Sequence, residues 1–538
     1  MRMCYVYPKK IIATQGFDGV EHFHAEKPLQ IGLNERDLTI ARGKGYVIFD
    51  FGKELSGGVR ILTFLVKGCQ KLRLRFGESV GETCAEIGEK NATNDHSLRD
   101  FCVELQNYSD MTFGQTGFRF LRMDTLGDDT EISFKAVVAA VNTDEREQTG
   151  SFVCNDEQIN CIFDTAAYTL RLCLQNGYIW DGVKRDRLVW IGDLYPEMRA
   201  AQCLFGDVPE VRNCLQFAMD ENPLPNWMNG YHTYSIWWLM ILCDDYAANG
   251  NKELYAKFLP YVKGLIEQIA PYVLENGETS FGNDFIDWQS CGDDEEGQRE
   301  RERKTGAYYL TKIALNKAVE FLRAFEEDTT LCEALLKRQD RYAPHAKSLK
   351  QIAGLGVWSG DVSEENKKIL LEGGAKGLST FMSYPILTGI AECGEYAKAL
   401  DVMKEYYGGM LSVGATTFWE DFDLAWLKGA GRIDEMPTLD KKDIHGDFGA
   451  YCYQGYRHSL CHGWSAGVIA YLMEMVVGVK PQGTGMRTIK IQPHLSGLKR
   501  VKATYPTPYG VLNIKHKLQS DGSVKTTVDA PKEVTILL

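Results

Sequence analysis

The sequence predicts a multidomain protein in which an (α/α)6 helical toroid lies between two β-sheet domains. Three observations favour this fold class. Stretches of alternating apolar and polar residues occupy the first 149 positions, segments with helical spacing follow as far as residue 479, and alternation returns after that. Because 538 residues are too many for one hydrophobic core, we predict three domains, at residues 1–149, 150–479 and 480–538.

The first 149 residues are predicted to form an antiparallel β-sandwich. Gly45–Phe51, Gly58–Val66 and Phe118–Met123 alternate apolar and polar side chains, which is typical of strands with one face on a core and the other in solvent. Gly, Asn and Asp residues between these stretches supply turns. The charged stretch Thr143–Thr149 then predicts a linker to the next domain.

The middle of the chain is predicted to be helical. About ten segments have helical spacing, and antiparallel helix pairs in that number favour a closed toroid with loops around its mouth. An open helical solenoid is the weaker alternative, because no fixed-period repeat is visible. The segments are Asp156–Cys173, Leu194–Leu204, Pro209–Met219, Tyr234–Ala248, Glu253–Val273, Gly306–Phe325, Leu331–Leu349, Ser379–Glu392, Tyr396–Tyr407 and Trp464–Val477.

The last part of the chain returns to strand-like alternation. Pro481–Gly485 has the composition of a hinge. The stretches Arg487–Gln492, Tyr509–Lys517 and Val524–Val528 follow it. They predict a small C-terminal β domain.

Charge and cysteine content exclude several classes of protein. The formal net charge is −13 and Lys and Arg do not cluster, so nucleic acid and anionic membranes are poor partners. The 15 cysteines form no C-x-x-C pair, which favours free thiols over disulfides or a zinc site. His22 and His24 could share a strand face, but no carboxylate cluster accompanies them, and we expect no metal.

Two further features bear on localisation. The N-terminus has no apolar stretch typical of a secretory signal, and the longest apolar run, Ile236–Cys243, is too short to span a bilayer. We therefore expect a cytoplasmic protein, or a periplasmic one if a leader has been removed.

The stretch Tyr178–Ala200 is the strongest candidate for a functional site. Asp181, Asp186 and Asp193 lie there among Lys184, Arg185, Arg187, Trp180 and Trp190. Carboxylates with cationic and aromatic neighbours often have shifted pKa values, as groups in active sites do. The alternative is a solvated loop that ends in a helix N-cap at Asp193.

Three motifs in order carry a family resemblance. They are D-x3-R-D-R-L-x-W-x-G-D from Asp181 to Asp193, Gly414–Phe422 and Ser459–Gly467. The sequence resembles the α-L-rhamnosidases of glycoside hydrolase family 78, in the six-hairpin glycosidase superfamily. The resemblance implies a jelly-roll-like sandwich before the toroid and a C-terminal sheet packed on it. It also implies an inverting exo-hydrolase that uses general acid/base catalysis.

The resemblance assigns two catalytic carboxyl groups, Asp186 as general acid and Glu420 as general base. An inverting glycosidase needs about 6.5–9.5 Å between them, so that water fits against the sugar. Asp421 and Asp423 would repel Glu420 and keep the base poised near neutrality. At the acid position the family usually has Glu, often preceded by Asp as R-D-E-R. Here the run Arg185–Arg187 either replaces that Glu by Asp, which is one methylene shorter, or lacks it. The flanking Arg185 and Arg187 would also lower the pKa of Asp186, and a structural salt bridge is the competing role.

Further residues are expected in the sugar pocket from the same resemblance. Asp181 and Asp193 would accept hydrogen bonds from sugar hydroxyls, with Arg185 orienting these carboxylates. Trp190 would pack against the methyl group of a 6-deoxyhexose, or it is a core residue. The remaining candidates are His462, Asp287, Trp288 and Trp419, with Trp227 and His232 as weaker ones.

The function that these residues predict is removal of terminal α-L-rhamnose from glycosides or oligosaccharides. One alternative is a toroid glycosidase for another sugar. The other is a carbohydrate-binding protein whose turnover is impaired because the acid is Asp186. No P-loop, G-x-G-x-x-G or H-E-x-x-H motif is present, so we expect no cofactor. Formation of a homo-oligomer is left open.

Overall fold

The computed structural model describes residues 2–291, 297–344 and 347–538. A sheet-rich N-terminal domain precedes a toroid of helix hairpins, and a second sheet-rich domain follows it. The predicted fold class is therefore confirmed. The positions of the boundaries between the three domains stay a prediction.

Seven strands form one antiparallel sheet in the N-terminal domain. The long third strand closes this sheet on itself, because Glu131 in the seventh strand lies opposite both Arg42 and Lys67 of the third strand. Apolar side chains fill the enclosed space. The elements are β1 (Arg2–Val6), β2 (Lys10–Asp18), β3 (Thr39–Lys67), β4 (Lys71–Gly77), the short helix α1 (Val80–Cys84), β5 (Asp100–Glu104), β6 (Ser109–Thr125) and β7 (Glu131–Thr143).

The next elements include the first helix hairpins of the toroid. They are β8 (Ser151–Cys154), α2 (Glu157–Cys173), β9 (Leu174–Gln175), β10 (Tyr178–Ile179), α3 (Ile191–Phe205), α4 (Pro209–Glu221), α5 (His232–Asn249), α6 (Lys252–Tyr255), α7 (Leu259–Ile269), α8 (Gln298–Ala324) and α9 (Thr330–Gln339). The remaining elements of the toroid are α10 (Lys350–Trp358), α11 (Glu364–Leu371), α12 (Ser383–Glu392), α13 (Tyr396–Ser412), β11 (Ala430–Gly431), β12 (Lys442–Asp443) and α14 (Val468–Tyr471), which a π-helical turn extends to Val476.

Six of these helices form a closed inner ring. Each of α3, α5, α8, α10, α12 and α14 contacts the next, and α14 returns to α3. Helices α5 and α12 are apolar and buried on almost every face, as helices enclosed on all sides must be. Helices α2, α4, α7, α9, α11 and α13 alternate with them along the chain, and they lie outside. The inner helices therefore all run in one direction, and their N-terminal ends meet at one mouth.

Some predicted helix bounds were wrong. The predicted helix Leu331–Leu349 ends at Gln339, and residues 345–346 of it lie outside the described part of the chain. The predicted Glu253–Val273 is broken, since Pro260 begins α7 as a new helix. Helix α10 was missed because it is buried on nearly all faces and so has no helical alternation to detect.

The C-terminal domain consists of two small sheets. One contains β13 (Val479–Gln482), β14 (Thr488–Ile491) and β18 (Thr535–Leu537). The other contains β15 (Arg500–Thr507), β16 (Gly510–Leu518) and β17 (Val524–Asp529). Strand β8 pairs with β15, with Phe152 opposite Ala503. The second sheet is thus tied to the chain just ahead of α2.

Two bulk predictions can be compared with the structure. All 15 cysteines lie in the described residues and are free, as expected. Of the described helices, none combines the length and apolar character that a membrane crossing requires.

Candidate active site

A cleft of about 560 Å³, including its open entrance, lies where the inner helices begin. Carboxylates, cations and aromatic rings share its wall, which is the composition expected of a sugar-binding pocket. Its described lining residues are Asp181, Arg185, Asp186, Trp190, Asp193, Tyr231, Tyr234, Phe285, Trp288, Glu420, Cys452, Tyr453, Arg457, His462 and Trp464.

Arg185 holds both predicted catalytic carboxylates. Its Nη1 donates to Asp186 Oδ1 at 2.7 Å, and its Nη2 donates to Glu420 Oε2 at 2.8 Å. Its Nε donates to the Arg457 carbonyl, and the guanidinium lies over the Tyr453 ring. Burial opposes the charge of Arg185, yet Glu420 and Asp186 raise its pKa. The structure therefore brings Asp186 and Glu420 to the same cleft, on two sides of one permanent cation.

The expectation that Arg185 orients Asp181 and Asp193 is corrected. The recorded contacts of its guanidinium go to Asp186, Glu420 and a backbone carbonyl. A planar fork of donors suits two carboxylates placed side by side.

Asp186 is the more exposed of the two catalytic candidates. Its side chain is 19% accessible, and its Oδ1 also lies 2.7 Å from His96 Nδ1, which comes from the N-terminal domain. Burial alone would raise the pKa of Asp186, but Arg185 and His96 outweigh burial and lower it. The salt bridge expected as the competing role is present, while Arg187 donates instead to the Gln115 carbonyl.

Glu420 is buried and firmly held. Besides Arg185, the Ser459 backbone N–H donates to its Oε2 at 3.1 Å. His462 Nδ1 lies 3.8 Å from its Oε1. The expected repulsion from neighbouring carboxylates is not the main contact, because Asp421 and Asp423 accept backbone N–H groups. The immediate neighbours of Glu420 are cationic groups instead.

His462 forms a charged pair with Asp193. The distance between Nε2 and Asp193 Oδ2 is 3.0 Å. Burial opposes the charge of His462, but Glu420 and Asp193 raise its pKa to about 9. The residue belongs to the cleft wall, but its Nδ1 is buried without a hydrogen-bond partner among the described residues. The imidazolium therefore places a buried positive charge between Asp193 and Glu420.

Asp193 lies in the first turn of α3, which is not the N-cap position. The helix begins at Ile191, and Trp190 precedes it as the capping residue without a side-chain cap. The alternative in which Asp193 caps the helix is therefore wrong. Burial raises the pKa of Asp193, although the hydrogen bond with His462 works against that shift.

Asp181 organises the loop that carries Asp186. Its two oxygens accept the backbone N–H groups of Asp186 at 3.1 Å and of Leu188 at 2.8 Å. Burial raises its pKa to about 7. Gly182 lets this loop turn tightly beside His462. A Cβ there would lie 2.7 Å from the Arg185 carbonyl oxygen and 3.2 Å from His462 Nδ1. Asp181 thus combines a place in the cleft wall with a structural role.

Aromatic rings line the opposite side of the cleft. Trp190 packs edge to face on Tyr234, and Trp288 donates from Nε1 to the Tyr453 hydroxyl. Both tryptophans were predicted in the pocket, and both line it. Trp464 joins them and donates from Nε1 to the Glu420 carbonyl.

Asp287 and Trp419 were expected in the pocket, but neither is among the described residues of the cleft wall. That expectation is corrected for both. Trp419 is fully buried and packs on Phe422 and His458. Asp287 accepts the Trp288 backbone N–H and the Ser379 hydroxyl, so it fixes the turn that presents Trp288. The weaker candidates Trp227 and His232 pack against each other and against Phe281, and neither is among the described residues of the cleft wall.

Two family models match the chain. Residues 147–352 match the bacterial alpha-L-rhamnosidase 6 hairpin glycosidase domain, and residues 478–538 match the bacterial alpha-L-rhamnosidase C-terminal domain. These two parts of the chain are therefore similar to bacterial α-L-rhamnosidase domains. An α-L-rhamnosidase of Alteromonas sp. (strain LOR) is 24% identical over 539 residues, which cover 90% of this chain and 55% of that protein. The chain thus spans just over half the length of this curated relative.

Several solved structures share the fold of this chain. The GH78 family rhamnosidase of Bacillus sp. GL1 has a TM-score of 0.75 at 19% identity, over 93% of this chain and 54% of that one. A rhamnosidase from Klebsiella oxytoca with rhamnose bound has a TM-score of 0.68 at 19% identity, over 88% of this chain and 96% of that one. The α-L-rhamnosidase of Streptomyces avermitilis complexed with L-rhamnose has a TM-score of 0.69 at 15% identity, over 91% of this chain and 48% of that one.

Several residues of the site were not predicted from the sequence. Tyr234 comes from a predicted helix, Phe285 lies beside the predicted pocket residues Asp287 and Trp288, and Tyr231 lies in neither. Nothing in the spacing of these three residues distinguishes a cleft wall from a core. The loop Tyr451–Arg457 is rich in aromatic residues, and this signal could have identified Tyr453. His96 lies in the N-terminal domain, so no motif of the toroid indicates it.

One cluster near the site has the composition of a metal site. Ligand atoms of Glu78, Glu82 and His445 lie within 4.8 Å of one another. Lys184 Nζ, however, lies 3.0 Å from Glu78 Oε2 and 3.3 Å from Glu82 Oε1. An ammonium already neutralises these carboxylates, and the cluster joins the N-terminal domain to the catalytic loop.

Proposed function

We propose that this chain is an exo-acting, inverting α-L-rhamnosidase, which releases terminal α-L-rhamnose from a glycoside or oligosaccharide. The observation that carries the proposal is that Asp186 and Glu420, distant in sequence, both line one cleft on either side of Arg185. Glycoside hydrolysis requires two such carboxyl groups facing one bond. The names of the relatives from Alteromonas, Bacillus and Klebsiella support rhamnose as the sugar.

In the proposed reaction Asp186 gives its proton to the glycosidic oxygen while the bond to the anomeric carbon breaks. Glu420 takes a proton from a water molecule, whose oxygen attacks the anomeric carbon from the other face. The products are the free alcohol and rhamnose of inverted configuration. Arg185 keeps both carboxyl groups in place, and this limits the conformational entropy lost on reaching the transition state.

The cleft wall divides into a polar and an apolar side for the sugar. Asp193 and Asp181 retain lone pairs that accept sugar hydroxyls, and His462 holds Asp193 in place. Trp190 and Trp288 supply flat apolar surface for the C–H face and methyl group of a 6-deoxyhexose. This division matches the two faces of rhamnose.

The lowered pKa of Asp186 favours one alternative function. An acid that stays ionised between Arg185 and His96 could leave a carbohydrate-binding protein with impaired turnover. The free thiols lead us to infer a reducing compartment such as the cytoplasm.

Release of p-nitrophenol from p-nitrophenyl α-L-rhamnoside separates these functions. We expect turnover by the native protein and its loss in Glu420→Gln, while Glu435→Gln at an exposed position retains native turnover. The hydrolase proposal fails if the native protein binds rhamnose without turnover and Asp186→Glu gains it. Turnover of other p-nitrophenyl glycosides in preference to the rhamnoside would support a toroid glycosidase for another sugar.

A further inference from the structure

A loop of the N-terminal domain touches the loop that carries Asp186. Ser97 Oγ donates to the Lys184 carbonyl at 3.0 Å. Asp95 Oδ2 accepts from Arg457 Nη2 at 3.0 Å, and Arg457 belongs to the cleft wall. The N-terminal domain therefore reaches the edge of the candidate active site.

His96 lies between these two anchors. Its Nδ1 is 2.7 Å from Asp186 Oδ1, and its Nε2 is 3.5 Å from Asp95 Oδ1. The side chain is 32% accessible, so the ring joins a carboxyl group of the cleft to solvent. The backbone of His96 has φ +67°, a left-handed conformation that is uncommon for residues other than glycine. The anchors on both sides hold it in this conformation.

The contacts on Asp186 leave one of its oxygens for the substrate. Arg185 Nη1 and His96 Nδ1 both approach Oδ1. Both neighbours can donate to that oxygen. Oδ2 is then the oxygen that can face a glycosidic bond.

We propose that His96 is a positioning residue that holds Oδ1 of Asp186, so that the N-terminal domain completes the general acid of the toroid. This inference rests on the proposed hydrolase function. His96 Nδ1 and Arg185 Nη1 hold Oδ1, while Oδ2 carries the proton that the glycosidic oxygen takes.

The proton transfer balances without a further reactant. Asp186 passes the proton on Oδ2 to the leaving oxygen as the glycosidic bond breaks, and the resulting carboxylate keeps its two contacts on Oδ1. Water in the cleft then returns a proton to Asp186.

Several charged groups surround this contact. Asp95 faces His96 from its own loop, and Asp186 faces it from the catalytic loop. Arg185 contacts Asp186, Arg457 contacts Asp95, and His462 adds a more distant positive charge near Asp186. Removal of His96 would leave Oδ1 with Arg185 alone, and Oδ2 would be free to turn away from the glycosidic oxygen.

Leaving-group dependence distinguishes this role from a structural one. The test compares His96→Gln with native protein on p-nitrophenyl and methyl α-L-rhamnoside. Methoxide is a poor leaving group and requires the acid, whereas p-nitrophenolate leaves without much protonation. We expect kcat on the methyl glycoside to fall about 10- to 100-fold, and kcat on the aryl glycoside to change less than about 3-fold. The alkaline limb of the pH profile on the methyl glycoside should also move to higher pH, because His96 lowers the pKa of Asp186.

His22→Gln serves as the matched control, because His22 is a half-buried histidine of the same domain outside this contact. Equal losses on both substrates in His96→Gln, or a change in KM alone, would overturn the positioning role. Native behaviour of His96→Gln on both would do the same while the hydrolase proposal stands. If the native protein hydrolyses neither rhamnoside, the proposed function fails and this inference falls with it.

Discussion

The two sides of the cleft differ in how firmly each carboxyl group is held. Glu420 is 4% accessible and receives Arg185 and a backbone N–H. Asp186 is 19% accessible and shares its Oδ1 between Arg185 and the imidazole of His96 from another domain. Both groups exchange a proton in each cycle, because the base must release the proton that it takes from water and the acid must regain the one that it gives away. The more exposed position of Asp186 gives it the more direct route to solvent water.

Removal of the base should have the largest effect. In Glu420→Gln we expect kcat on any α-L-rhamnoside to fall by about 10³- to 10⁴-fold with little change in KM, because the attacking water loses its base. Steady-state kinetics on the aryl glycoside measure this. A variant that keeps native kcat would show that Glu420 is not the base.

The anchor behind Asp186 should matter for stability. Lys184→Met leaves Glu78 and Glu82 buried near each other without their shared cation, and we expect a loss of about 3–5 kcal/mol in the free energy of unfolding. Chemical denaturation measures it, with Lys44→Met as a control for an exposed ion pair. An unchanged unfolding midpoint would mean that this cluster does not join the two domains.

Removal of the acid should affect substrates unequally. In Asp186→Asn we expect kcat on methyl α-L-rhamnoside to fall about 100-fold or more, and kcat on the p-nitrophenyl glycoside to fall much less. The ratio of the two rates is the measurement. Losses of equal size on both glycosides would assign Asp186 a structural role beside Arg185.

The smallest of these effects concerns stability as a function of pH. The folded-state pKa of His462 is raised to about 9, above the ordinary value of about 6.5. Its charged contacts therefore stabilise the fold fully below about pH 6.5, and this contribution is lost as pH rises toward 9. We expect the Tm of the native protein to fall more steeply across this window than that of His462→Gln. Parallel Tm profiles would contradict the raised pKa.

The order of the domains could be predicted from the sequence better than the contacts between residues far apart in it. Strand alternation and helical spacing indicate local structure, so the order of sheet, toroid and sheet followed from them. Helix α10 escaped because a helix buried on nearly all faces lacks alternation. The closure of the N-terminal sheet depends on pairing between residues far apart, such as Glu131 with Arg42, which periodicity does not encode.

For the site, the motifs placed Asp186, Glu420 and His462 in one cleft, and the structure agrees on that point. The salt bridge of Arg185 with Asp186 was foreseen, but its contact with Glu420 could not be derived, because it joins loops far apart in the sequence. Trp419 shows the same limit, since its neighbour Glu420 faces the cleft while its own ring is buried. The contact of His96 with Asp186 crosses a domain boundary and has no signature in either domain alone.

The stereochemistry of the first product tests most directly whether Asp186 and Glu420 act as acid and base across one water molecule. Proton NMR during the first minutes of α-L-rhamnoside hydrolysis distinguishes the two anomers before mutarotation mixes them. We predict that β-L-rhamnose is formed first and that the α anomer follows at the rate of mutarotation. Initial formation of α-L-rhamnose would mean retention through a covalent intermediate, and it would contradict the roles assigned to these two residues.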